Sequence, residues 1–220
     1  MEAMVSRLTT PASVSLKARL HRPRREVLAL AFFCALSWAA PGFSQGEATT
    51  APIDLDQMVL RAQSIVRGQV TSVRIEPHPQ FPNLQTVVVT LSVSSVLKGA
   101  AGPSLTFRQY QWDARDASRL SGYKGLGEVV LFLNPVSTYG LTSTVGMEQG
   151  RFRVLPDGKG NRYVINGRDN LGLFNQVPAK AAARGIAFSP QVRAMLANST
   201  RTAALETFEE AVRTLVGTPR

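Results

Sequence analysis

Thr86-Val87-Val88-Val89-Thr90-Leu91-Ser92-Val93-Ser94-Ser95-Val96-Leu97 is the stretch whose reading decides the fold. Val87, Val89, Leu91 and Val93 fall on one side of an extended chain, and Thr86, Thr90, Ser92 and Ser94 fall on the other. A period of two built on β-branched residues predicts a strand with one face on a core and one toward water.

Three further candidate strands surround it. Residues 64–75 come first; there Val66 and Val70 share one face while Val73 and Ile75 share the other. That phase change predicts a bulge near Thr71. Residues 76–84 carry Pro77, Pro79 and Pro82 and read as a loop. Residues 104–112 form the third strand, with Leu105 and Phe107 on one face, and a long polar loop follows over residues 113–127. Residues 128–133 are apolar on both faces, as a central strand requires.

Farther along, residues 141–145 are a candidate fifth strand, and residues 151–155 and 162–166 flank a Pro156-Asp157-Gly158 turn as a hairpin. Upstream of the first strand, Asp54 is placed to cap a short helix, with Ile53 and Met58 at the staple positions. After Val177 the chain turns helical over residues 179–184, again from the Ser189-Pro190 start, and over residues 202–216. In the last of these Leu205, Phe208, Val212 and Leu215 make the apolar stripe, and Glu206, Glu209 and Glu210 fall off it.

The first 44 residues read as an export signal. Lys17, Arg19, Arg22, Arg24 and Arg25 form a basic region, residues 27–40 are uncharged and apolar, and Gly42-Phe43-Ser44 places small residues for a signal peptidase. The apolar run falls short of the roughly 20 residues a spanning helix needs, although a membrane anchor is the competing reading. Arg24-Arg25-Glu26-Val27-Leu28 also has the spelling of a twin-arginine signal. Cleavage after Ser44 would leave a periplasmic or secreted chain with no transmembrane segment. Its boundaries would be a β-barrel domain over residues 45–177 and a helical appendage over residues 178–220. Cys34 is the only cysteine and lies in the leader, so the remainder has no disulfide, thiolate nucleophile or cysteine-bound zinc. Of the 25 basic and 15 acidic residues, the leader takes six and two, and the rest carries +6. Such a charge keeps a domain in solution and is compatible with an anionic envelope partner.

Little chemistry is legible. His78 is the only histidine after the leader, which excludes a histidine-cluster metal site, and no nucleophile elbow supports a Ser-His-Asp triad. Gly122, Gly125 and Gly127 precede a strand instead of following one, so they are not a dinucleotide fingerprint. Asp157 and Asp169 fit turn chemistry better than calcium ligation. One patch stands out: alternation on the third strand sets Thr106, Arg108, Tyr110 and Trp112 opposite Leu105 and Phe107. Aromatics interleaved with arginine on an outer face suit a sugar, a peptide or a single-stranded nucleic acid. The plainer account is a bulge near Arg108 or Gln109 that turns Tyr110 and Trp112 into the core. Arg151 and Arg153, opposite Phe152 and Val154 on the hairpin, make a second basic strip.

Ala62-Gln63-Ser64-Ile65-Val66-Arg67-Gly68-Gln69-Val70 resembles the first strand of netrin-like domains, which include the tissue inhibitors of metalloproteinases. Val93-Ser94-Ser95-Val96-Leu97-Lys98-Gly99 resembles the close of their second strand, and residues 125–133 resemble their glycine-led central strand. Together with Gln149-Gly150-Arg151-Phe152-Arg153-Val154, the order is most similar to a netrin-like module of exported bacterial proteins. The resemblance implies a five-stranded OB-type barrel with a short N-terminal helix and C-terminal helices. The inhibitors of that family chelate zinc through an N-terminal cysteine, which this chain lacks.

The resulting expectation is an exported, non-catalytic binding or interaction module. Arg108, Tyr110, Trp112, Arg151 and Arg153 are its candidate binding residues, and an envelope protein or polysaccharide is its partner. No nucleic acid, metal or cofactor is expected. A protease inhibitor and a hydrolase are the alternatives.

Overall fold

The computed structural model describes residues 51–111, 122, 123, 125–198 and 201–217, all within one compact unit that spans Thr49–Arg220. The expected signal peptide, Trp112 and most of the 113–127 loop lie outside the described residues.

Helix α1 (Leu55–Arg61) begins as its cap predicts: the Asp54 carboxylate accepts the Gln57 N–H at 2.9 Å. Strands β1 (Ser64–Pro77), β2 (Gln85–Lys98), β3 (Ser104–Tyr110) and β4 (Glu128–Leu133) follow. A 3₁₀ turn at Met147–Gly150 leads into the hairpin β5 (Arg151–Pro156) and β6 (Arg162–Asn166). Helices α2 (Val177–Ala183) and α3 (Pro190–Ala197), the short strand β7 (Ala203–Ala204) and helix α4 (Leu205–Gly217) complete the chain. Ser189 caps α3 by accepting the Val192 N–H at 3.2 Å, with Pro190 in the first turn.

The strands form one antiparallel sheet of seven in the order β3-β2-β1-β4-β5-β6-β7. Among the described residues it is not closed, so the five-stranded barrel of the sequence reading is replaced by an open, wider sheet that is mainly β with helices. Residues 141–145 are not a strand of it. They run beside the end of β4 through the bridge Leu133–Thr144, with Val145 N–H donating to the Phe132 carbonyl at 2.8 Å. The bulge expected near Thr71 is present: the β1–β2 register shifts between Val70 and Ser72, and twice more nearer the start of β1. Gly68 sits beside the second shift, where a Cβ would stand 2.4 Å from the Ser92 carbonyl oxygen, so only glycine admits that approach.

Each face of the sheet carries a core. On one, Val130 and Phe132 of β4, Phe152 and Val154 of β5 and Val164 of β6 pack against the helices. Phe208 of α4 meets Phe152 and Phe132 at ring separations of 4.9 and 6.2 Å. Residues expected to form an appendage thus share this core. On the other face Val66, Val87, Val89, Leu91, Phe107, Val129 and Leu131 cluster inside the curl of β1 to β4. β4 feeds both cores, which is why its last five residues, Val129 to Leu133, are apolar on both sides.

Two side chains depart from the alternation. Thr86, expected toward water, is 0% exposed, because its hydroxyl donates to the Glu76 carbonyl at 2.7 Å and accepts from Arg108 at 2.5 Å. Glu209, expected off the apolar stripe of α4, is buried against Arg67 and Arg213, whose charges offset its desolvation.

Candidate functional site

β3 is an edge strand, and its pairing with β2 runs from Thr86–Tyr110 to Ser92–Ser104 without a register shift. The bulge that would have turned Tyr110 inward is therefore absent, and Tyr110 is 38% exposed. Phe107 and Gln109 occupy the buried side of β3, while Arg108 and Tyr110 share the other.

Arg108 braces the sheet from that face. Its guanidinium donates to Thr86 Oγ1 on β2 at 2.5 Å, to the Pro77 carbonyl at 3.4 Å and to Glu76 Oε2 on β1 at 3.2 Å. Glu76 also accepts from Arg74 at 2.8 Å. That bond, then the one from Arg108, holds the Glu76 carboxyl below the ordinary carboxylate range despite some desolvation. Arg108 is thus committed to three strands, while Thr106 and Tyr110 of the expected patch face solvent.

A groove of about 590 Å³ opens beside β3. One wall is β3 itself at Leu105, Thr106 and Phe107; the other is the chain after β4 at Leu133, Asn134 and Val136. Gly99 and Ala100, from the turn after β2, line it as well. A shallower hollow of about 190 Å³, lined by Tyr110, Pro135 and Leu141, shares Asn134 and Thr142 with it. Among the described residues a backbone bond joins the two walls, Thr142 N–H to the Arg108 carbonyl at 2.8 Å.

The loop over residues 134–142 had no place in the sequence reading beyond its last two residues. It is held by its own bonds: Thr142 Oγ1 donates to the Asn134 carbonyl at 2.7 Å, and Ser137 N–H to the Leu141 carbonyl at 2.8 Å. Its tip exposes Val136 at 62% and Tyr139 at 57%. His78 anchors that tip. The ring, 3% exposed, bonds through Nε2 to the Tyr139 carbonyl at 2.7 Å, and Nδ1 accepts the Gln80 N–H at 3.1 Å. An acceptor at Nδ1 and a carbonyl partner at Nε2 assign the proton to Nε2. Phe81 completes an aromatic stack, 5.1 Å from the His78 ring and 5.5 Å from Tyr139. Pro135 and Gly140 were the sequence signals of this turn, and nothing in the periodicity tied it to His78, 61 residues away.

The hairpin arginines lie elsewhere, and neither lines the groove. Arg151 packs over the buried Tyr123 ring, its guanidinium carbon 4.8 Å from the centroid, and Glu148 stands 4.0 Å away. Gly122, at φ +76°, leaves room for it, since a Cβ there would meet the guanidinium at 2.3 Å. Arg153, opposite Val129 and Ile165, is exposed. The expected binding residues therefore divide: Arg108 lines the groove and Tyr110 the hollow beside it, Arg151 and Arg153 line neither, and Trp112 is outside the described residues.

Among the described residues no three His, Cys, Asp or Glu side chains gather in a way that would hold a metal ion, and no helix is long and apolar enough to cross a membrane. No protein-family model matches the chain, and neither a curated protein nor a solved structure is detectably similar to it.

Proposed function

We propose that this protein is an exported, non-catalytic binding module, and that its ligand occupies the groove between β3 and the 134–142 loop. The observation that carries the reading is the groove itself: about 590 Å³ beside β3, sharing Asn134 and Thr142 with the hollow at Tyr110. Concave, largely apolar sites with a few polar groups are where ligands bind. Tyr110, exposed in the neighbouring hollow, supplies a side-chain type enriched at binding hot spots.

The chemistry of His78 argues against the hydrolase alternative, because both ring nitrogens are engaged by backbone groups and neither is offered to a nucleophile. The OB-type, netrin-like resemblance is compatible with the curl of β1 to β4. There the 141–145 segment bonds to β4 and reaches β3 through Thr142, bringing the two sides of the curl within one hydrogen bond. Fold likeness assigns no activity.

The test fills the groove. Ala100→Trp and Leu105→Trp, immobilised beside the unaltered protein, are exposed to envelope extract of the native host and to an array of envelope polysaccharides. A ligand retained by the unaltered protein and lost from both variants, at matched melting temperatures, supports the reading. Retention unchanged by both substitutions overturns it, and stoichiometric inhibition of a metalloprotease would replace it with the inhibitor reading.

A further inference from the structure

We propose that the groove takes an extended peptide segment of a partner protein, which adds as a strand to the outer edge of β3; this rests on the binding reading above and names the class of ligand. Parity along β3 carries the argument. Val93 N–H donates to the Pro103 carbonyl and Gln111 N–H to the Gln85 carbonyl, so odd-numbered residues of this segment bond to β2. In an antiparallel ladder the N–H and C=O of one residue point the same way and alternate from residue to residue. Ser104, Thr106 and Arg108 therefore present their backbone groups away from β2. The Arg108 carbonyl confirms the direction, since it accepts Thr142 N–H from across the groove.

That one bond is the first rung of a ladder that the described residues do not continue at Thr106. Beside it, Thr106 offers a donor and an acceptor along a wall of the groove. A row of backbone donors and acceptors on a sheet edge is a template for an incoming strand. Its groups recur at every second residue, the repeat of an extended polypeptide, which a sugar chain does not share. Leu105, Leu133 and Val136 give the walls apolar surface for alternate side chains of such a strand. No carboxylate lines the groove among the described residues, and Arg108 is its ionisable side chain. Since the Arg108 charge is already paired with Glu76, the complementary segment is apolar or β-branched and neutral.

The inference is tested with a displayed library of random octapeptides, selected on the unaltered full-length protein, with the enriched sequences then synthesised. Thr106→Pro removes the outward N–H together with the hydroxyl that meets Thr90, at an edge position where proline leaves the β2 ladder intact. Thr106→Ala removes the side chain and keeps the N–H. Enriched peptides are expected to be β-branched and to shift the Thr106 and Arg108 amide resonances. They should bind Thr106→Pro roughly tenfold more weakly and Thr106→Ala within about twofold of the unaltered protein, the size of effect one lost hydrogen bond produces. Methylating alternate backbone nitrogens of the peptide should abolish binding in one phase of the alternation and spare it in the other. Failure of the library to enrich, or equal affinity for Thr106→Pro, overturns the strand-addition inference. The binding reading fails separately, if Ala100→Trp and Leu105→Trp retain every captured ligand.

Discussion

Arg67 Nε of β1 stands 3.3 Å from Glu209 Oε1 of helix α4, joining the strand that crosses both halves of the sheet to the last helix of the chain. Glu128 lies 3.5 Å from the same guanidinium nitrogen, and Arg213 donates to the other Glu209 oxygen at 3.0 Å. Arg162 extends the network to Glu128 and Glu206, at 3.4 and 3.0 Å. The network balances three arginines against three glutamates, but its centre is desolvated: neither Arg67 Nε nor Glu209 Oε1 has a well-aligned hydrogen bond. Such a pair is costly to break from one side and cheap to replace from both.

Glu209→Leu alone is therefore expected to destabilise by about 1–3 kcal/mol, less than a fully enclosed pair because Glu128 still faces Arg67. Arg67→Met combined with Glu209→Leu should recover most of that loss. Urea unfolding of the four members of the cycle measures it. A double variant as unstable as the sum of the single ones would show no coupling between Arg67 and Glu209 and would overturn this account.

Tyr123 makes an alkaline prediction. Burial pushes its phenol above the usual value, against the opposing pull of Arg151, and its hydroxyl has no well-aligned partner although Arg151 and Thr144 stand near it. The folded state thus holds the proton more tightly than the unfolded state. The associated stability is complete below the unfolded phenol value, about pH 10, and is lost as the pH rises beyond it. Tyr123→Phe is expected to be neutral to about 1 kcal/mol stabilising at pH 7, since it removes a buried hydroxyl that is poorly satisfied. It should also flatten the decline above about pH 10. Urea midpoints at neutral and alkaline pH decide; equal alkaline losses in both proteins would clear Tyr123.

The cores set a contrast within β2. Leu91 is fully buried in the curl of β1 to β4, so Leu91→Ala should cost about 2–5 kcal/mol. Thr90 meets Thr106 across the strand pair at 3.1 Å in a half-buried position, and Thr90→Ala should cost under about 1 kcal/mol. Thr86→Ala belongs between them, at about 1–3 kcal/mol, because it strands the Glu76 carbonyl and part of the Arg108 guanidinium. A thermal or urea series that ranked Thr90 above Thr86 would contradict this account of the buried threonine.

The difference between Thr86 and Thr90 also marks what the sequence makes legible. Alternation located β1, β2 and β3, and the phase slip at Thr71 located a bulge, because both follow from the two-residue period of a pleated chain; β4 was legible as an apolar run. The caps of α1 and α3 were readable because Asp54 and Ser189 act within three residues. Contacts between distant residues were not. Thr86 is buried by Glu76 and Arg108, and Glu209 by Arg67, and neither partner is implied by local pattern. Sheet closure failed for the same reason. The pairing of residues 141–145 with β4, and their single bond to β3, depend on how far the sheet curls. The candidate site was half legible: Tyr110 faces out as alternation requires, while the opposing wall is a loop whose place is set by His78.

That dependence gives the last prediction. His78 couples the turn after β1 to the 134–142 loop, through Nε2 to the Tyr139 carbonyl and through Nδ1 to the Gln80 amide. His78→Phe keeps an aromatic ring against Phe81 but deletes both bonds. The lost free energy should appear locally, because the Tyr139 end of the loop is exposed and, apart from Thr142 N–H to the Arg108 carbonyl, its remaining bonds run within residues 134–143. Native-state hydrogen exchange is expected to accelerate at the Gln80 and Thr142 amides by about tenfold, the effect of one or two net hydrogen bonds. The Val93 amide, which bonds to the Pro103 carbonyl beside the β2–β3 ladder, should hold its protection. Binding at the groove should weaken in step with Thr142, since the loop that Thr142 ties to Arg108 forms one wall. Faster exchange at Val93 to the same degree would make His78 a determinant of global stability. Unchanged exchange at Thr142 would remove it from the architecture of the site.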